Sequence, residues 1–227
     1  MTMSTASARY PKPKFRSPST SGFVYVGLSV DPPHAPLVRS SSERDDAIEE
    51  CLSTARRLST RDDVVRTRVF EAVLIPPLKG SPRFDVMMLV ETASPGHNDD
   101  VIASARFDQL GADLVMSADN PARIGDPESP ATGVYLFNHF TARDKEAGIG
   151  VWEGLTGWYT AKTGIDNSAP LRSVDDGRFA FVNYARLPGG AVPFMVNQLT
   201  RPSFHRFVRK QIKANGMVAL PILCRPV

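Results

Sequence analysis

Cysteine is almost missing from this chain: only Cys51 and Cys224 occur in 227 residues. They lie far apart without metal-ligand spacing, which argues against a disulfide scaffold or structural zinc and points to reduced thiols in a cytoplasmic protein. Histidine is scarce too, with four, and no pair of His, Cys or carboxylate residues is spaced as a metal site. No run of about 18 apolar residues occurs, so no membrane span is expected, and the N-terminus lacks the apolar core of a secretory signal. A G-x-S-x-G elbow, a P-loop and an H-E-x-x-H pair are absent, and nothing marks Ser168 or Cys224 as an activated nucleophile. Gly148-Ile-Gly150-Val-Trp-Glu-Gly154 misses a dinucleotide fingerprint by one residue and lacks its strand–turn context. Acid is absent from the first 20 residues, which carry Arg9, Lys12, Lys14 and Arg16. With those four set aside, the net charge of +3 becomes an excess of one acid. Basicity is therefore expected in a tail and not on a face of the fold, which argues against nucleic-acid binding.

What is present is enough apolar residue, 42%, to build sizeable cores. Residues 1–21 read as a disordered basic tail rich in Ser, Pro and Lys. Strands are expected over 22–30, 64–75 and 83–92, with helices over 43–59 and 99–119. Residues 120–132 read as a linker of Pro and Gly around an acidic patch. The order then repeats: a strand over 133–142, a helix over 144–163, and strands over 169–174 and 178–187 around the turn Asp175-Asp176-Gly177. A helix over 192–214, broken near Arg201-Pro202, precedes a strand over 217–225. The first unit (22–132) lacks a clear fourth strand between Asp119 and Gly133, and the second (133–227) looks complete. Two βαββαβ units of this kind can pack their open sheet faces together, making a pseudo-twofold α+β barrel within one chain.

Two polar–aromatic triplets interrupt the most apolar strands of the second unit, Phe137-Asn138-His139 and Val182-Asn183-Tyr184. A buried asparagine without partners costs about 1–3 kcal/mol, so these positions call for partners or a ligand. Period-2 alternation puts Asn138 on one face with Leu136 and Phe140, and His139 on the other with Tyr135 and Phe137. If the triplets pair in register, Asn138 and Asn183 share one side, and His139 and Tyr184 the other. The asparagines either fix register through each other or a loop, or contact a ligand. His139 is either a proton acceptor or a satisfied core histidine. The helix over 144–163 contains Gly148, Gly150, Gly154 and Gly157, each costing about 0.5–1 kcal/mol relative to alanine. Close approach to the sheet explains them, or space for a ligand beside Trp152, Trp158 and Tyr159.

The run LFNHF, a helix with Trp152 and Trp158-Tyr159, Asn167-Ser168, the strand ending FVNYAR, PSFHRFV and the closing ALPILCRP together resemble the dimeric α+β barrel superfamily. The nearest branch is the antibiotic biosynthesis monooxygenase-like group, with haem-degrading monooxygenases and polyketide cyclases as relatives. The resemblance implies oxidation of bulky aromatic substrates by O₂ without metal or flavin, around a strand asparagine and helix tryptophans. Asn138 and Trp152 or Trp158 are the matching positions. The chain departs from the group in being a tandem fusion with a glycine-rich helix.

Three functions stay open. One is a cofactor-independent monooxygenase-like or cyclase-like enzyme on a hydrophobic, aromatic small molecule. Asn138 would then bond a substrate oxygen, His139 or Tyr184 would move protons, and Trp152, Trp158, Tyr159 and Asn183 would wall the site. The second is a non-catalytic structural or ligand-binding protein of the same fold. The third is haem binding through His205 or His139. The first two need no cofactor or metal, and a monomer or weak homo-oligomer is expected.

Overall fold

The computed structural model describes residues 10–129 and 131–227. The first unit runs β1 (Gly22–Leu28), α1 (Ser42–Leu58), β2 (Val64–Leu74), β3 (Val86–Thr92), α2 (Asn98–Ala105) and β4 (Leu114–Asp119). The second runs β5 (Tyr135–Thr141), α3 (Lys145–Thr163), β6 (Ala169–Ser173), β7 (Phe181–Arg186), α4 (Ala191–Leu199), α5 (Lys210–Ala214) and β8 (Val218–Pro226). A π-helical turn, Phe204–Arg209, leads into α5.

Each unit is a ferredoxin-like antiparallel sheet, ordered β4-β1-β3-β2 and β8-β5-β7-β6. Pairing of β2 with β8 and of β4 with β6 closes the two sheets into one eight-stranded barrel. The helices cover the outside, and the inner faces of both sheets fill the lumen with side chains such as Tyr25, Phe70, Met87, Phe137 and Tyr184. An intrachain pseudo-dimeric α+β barrel is thus what the tandem repeat builds.

Two sequence expectations are corrected. The first unit has its fourth strand: β4 lies inside the stretch read as one long helix over 99–119. The helix stops at Ala105 because Arg106 turns left-handed (φ 55°), and Gly111 (φ 69°) ends the short 3₁₀ turn that follows. Glycine at a left-handed position after an apolar stretch is a helix stop signal, and Leu114-Val-Met behind it reads as strand. The second correction concerns the tail, of which residues 1–9 lie outside the described residues. Residues 10–21 are not disordered: Tyr10 is buried against Trp158 and Phe204, Lys12 pairs with Glu153 of α3 at 3.1 Å, and Arg16 bridges Arg123.

That strap explains one of the α3 glycines. A Cβ at Gly157 would lie 2.5 Å from the carbonyl oxygens of both Tyr10 and Pro11. At Gly148 it would meet Ala142 and the Phe181 ring at 3.2 Å, whereas at Gly154 nothing lies within 4 Å. Gly154→Ala should therefore stabilise the protein by about 0.5–1 kcal/mol through helix propensity alone. Gly157→Ala should instead loosen the strap, and limited trypsinolysis would show faster cleavage after Lys14 and Arg16, since Pro13 blocks the bond after Lys12. Equal behaviour of the two variants in melting and proteolysis would contradict this account.

Candidate ligand site

The triplets pair in register, Asn138 opposite Asn183 and Phe137 opposite Tyr184. Alternation then sends them to two separate places. His139 and Tyr184 point into the lumen, and Asn138 and Asn183 point outward, under α3.

The lumen side is packed solid around His139, and a polar pocket of about 120 Å³ lies at its Tyr184 end, lined by Arg66, Arg68, Glu91 and Glu128. His139 is fully buried, with Nε2 2.9 Å from the Tyr25 hydroxyl and Nδ1 3.0 Å from the Leu220 carbonyl. A carbonyl only accepts, so Nδ1 carries the proton and Nε2 accepts from Tyr25. Burial, with Arg178 adding repulsion, lowers the His139 pKa from 6.5 to about 4. Tyr184 donates to Glu128 of the inter-unit linker, which also holds Arg68 Nε at 2.7 Å and Arg66 at 2.9 Å. Burial first, and Glu128 second, push the Tyr184 phenol well up. Both groups are neutral, hydrogen-bonded core residues on the far side of the sheet from Asn138. The expectation that they move protons for a ligand held by Asn138 is corrected by strand alternation itself.

The outward side is different. Asn138, Asn183, Trp152 and Tyr159 line one small cavity of about 40 Å³ between α3 and the sheet, with Ser168 beside them. That volume suits one or two waters and no larger ligand. Asn183 Oδ1 accepts from the Ser168 hydroxyl at 2.7 Å, so this asparagine is satisfied within the fold. Asn138 Oδ1 is buried and has no partner among the described residues. The two amides do not satisfy each other, although they sit in register. Trp158 lies elsewhere: it is fully buried and donates from Nε1 to Ser203 Oγ at 3.1 Å, packing against Phe204 and Val208. It ties α3 to the start of the π turn and does not line the cavity.

Leu136, Asn138 and Tyr159 also line a second, open groove of about 900 Å³, bounded by α4, the π turn, α5 and β8. Asn138 thus sits at the seam between a tight cavity and a ligand-sized groove. The groove's walls are mostly apolar, including Phe194, Met195, Phe204, Ile212 and Met217. Burial raises the Tyr159 phenol, so this wall residue stays protonated. His205 stands at the rim, with Nε2 2.8 Å from the Leu199 carbonyl and Nδ1 3.4 Å from an Arg209 nitrogen. Nε2 therefore carries the proton, and this contact must break before His205 can ligate iron through it.

No protein-family model and no curated protein sequence matches the chain. Solved structures do match its shape. An anthrone oxidase-like protein superposes with a TM-score of 0.62 over 94% of each chain at 8% identity. A mutant chlorite dismutase from Candidatus Nitrospira defluvii gives 0.53 over 92% of each chain at 11% identity. The chain has the dimeric α+β barrel fold. At such identities the likeness is one of architecture alone, and this dimeric α+β barrel carries both halves in one polypeptide.

Sequence reasoning missed the groove and its charge. Arg206, Arg209, Lys210 and Lys213 stand along it together with Lys79. From Gly177 to Val227 the chain contains no Asp or Glu. The tail is therefore not the sole home of the basic charge, which also gathers on one helical edge. Scanning for acid-free stretches beyond the N-terminus would have found it. No metal-binding cluster of three His, Cys or carboxylate residues occurs among the described residues, and no helix there is long and apolar enough to cross a membrane.

Proposed function

We propose that the second unit binds a hydrophobic, planar small molecule in the groove beside β5 and β8, with one edge of the ligand against Asn138. The observation that carries this reading is the unpartnered, buried Asn138 Oδ1 at the inner end of a ligand-sized apolar groove. A buried carbonyl oxygen without a donor costs about 1–3 kcal/mol. A ligand hydroxyl bonded to it would offset that cost. The Asn138 carboxamide can also turn to offer its N–H₂ to a ligand oxygen.

The reaction that suits this site best is cofactor-independent oxygenation of an aromatic ketone or phenol. The Asn138 amide would stabilise the oxygen that gains charge as a C–H proton leaves. The substrate then supplies the electrons. For an anthrone, one atom of O₂ replaces the two methylene hydrogens as a new carbonyl, and the other leaves as water. No Asp or Glu lines the cavity or the groove, so the proton goes to water or to His205 at the rim. The runner-up is a binding protein of the same fold without turnover, favoured by this lack of an acid–base pair.

The test is titration with anthrone, followed by quenching of tryptophan fluorescence and by oxygen uptake. Saturable quenching with uptake and anthraquinone formation is the expected result. Quenching without uptake would leave the binding-protein reading, and no quenching would sink both. A Soret band on adding haemin, lost in His205→Ala, would favour the haem reading instead.

A further inference from the structure

The groove has an electrostatic character that a purely apolar ligand does not explain. His205, Arg206, Arg209, Lys210 and Lys213 recur at three- and four-residue spacing, so they share one edge of the π turn and α5. Like charges so spaced on a helix repel one another. Neighbouring carboxylates would normally relieve this. Here none of Lys79, Arg206, Arg209, Lys210 and Lys213 stands in any ion pair found among the described residues. By contrast Arg66, Arg68, Arg172 and Arg225, elsewhere on the barrel, each have a carboxylate partner. The unpaired charges border an apolar surface that leaves Leu78, Leu199 and Val218 about half exposed.

The backbone adds a second observation. The rim passes through a π-helical turn, and such turns are uncommon and gather at functional sites. It begins just after Arg201-Pro202, where proline breaks the helix. The extra residue per turn shifts the side-chain register at His205 and Arg206.

We infer that the ligand of this groove is an anionic amphiphile, an aromatic carboxylic acid whose ring system enters toward Asn138 while its carboxylate meets Arg206, Lys210 and Lys213. This rests on the groove reading proposed above and adds the charge of the ligand to it. A concave space of about 900 Å³ with a polar group at its inner end fits a discrete molecule better than a flat lipid surface. The cations steer the acid to the mouth and fix which end enters first.

The experiment compares anthraquinone-2-carboxylate with the uncharged 2-hydroxymethyl analogue by tryptophan quenching and calorimetry. At low salt the acid should bind about tenfold more tightly, as expected from several exposed charge contacts acting together. That preference should shrink in 0.5 M NaCl, where the Debye length falls to a few ångströms, roughly 4 Å. The triple variant Arg206→Gln, Lys210→Gln, Lys213→Gln should bind both molecules equally, with the neutral probe unaffected. All three side chains are exposed, and the salt dependence of the unaltered protein tests the same point without any variant. Equal binding of the two probes would overturn the charge inference while leaving the groove reading intact. Binding of neither would sink both. Sedimentation with phosphatidylglycerol vesicles, lost in the triple variant and unaccompanied by preference for the free acid, would overturn it in favour of a membrane surface.

Discussion

Asn138→Leu is expected to separate binding from stability, and in opposite directions. The side chains are close in shape, and leucine removes a buried oxygen that has no partner. Removing such a group without leaving a new orphan is neutral or stabilising, by about 1 kcal/mol. Affinity for a planar aromatic ketone or phenol should meanwhile fall about ten- to a hundredfold, because the ligand's own polar group is left unpaired in the groove. Thermal melting and probe titration on one preparation check both halves. Unchanged affinity would remove Asn138 from the site. A large loss of stability with binding intact would make it a register residue. Asn183→Leu is the internal control: its Oδ1 already holds Ser168, so this change should cost stability by orphaning that hydroxyl.

Acid should destabilise the barrel from its centre. The His139 pKa in the fold is about 4 against 6.5 for a free imidazole, with burial as the main cause. Between those values the unfolded chain binds a proton that the folded chain does not. Stability from this group is therefore complete above about pH 6.5 and is lost as pH falls toward 4. The full loss is about 3 kcal/mol, which for a chain of this size lowers the melting temperature by roughly 10 °C. Tyr25 and the Leu220 carbonyl face the ring, and Arg178 is the nearby charge that disfavours its protonation. The double variant Tyr25→Phe, His139→Leu removes both partners of the buried bond and should flatten the pH profile across that window. An identical slope in the double variant would assign acid lability to other groups.

These two residues also show how much the sequence could reveal. Alternation along β5 and β7 was enough to send Asn138 and His139 to opposite faces, because side-chain direction in a strand is a local property. Pairing of the two triplets rested on the βαββαβ order, which makes its first and third strands neighbours, while their register stayed conditional. The boundary of β4 was also written locally, in Gly111, but Ile102, Ala105 and Leu110 keep a helical rhythm that runs past it. What could not be read was which individual side chains meet when distant segments come together. Ser168 satisfying Asn183, Tyr10 crossing Gly157, and Glu128 reaching Tyr184 join residues whose neighbourhood exists only once the barrel closes. The groove is of the same kind, since one wall is β8 and another is α4. Its charge was nonetheless visible as an acid-free run, which a net-charge count conceals.

The position of β8 has a consequence for how the molecule is made. It lies between β2 of the first unit and β5 of the second, yet it leaves the ribosome after every other strand. Until it arrives, the β2 edge is unpaired, the lumen aromatics are open on that side, and the groove has no second wall. The nascent chain thus passes through a stage in which the first unit has all its strands while one edge of its sheet is still free to pair with another copy. Misassembly during synthesis would accordingly take the form of exchanged β8 strands, each closing its neighbour's barrel.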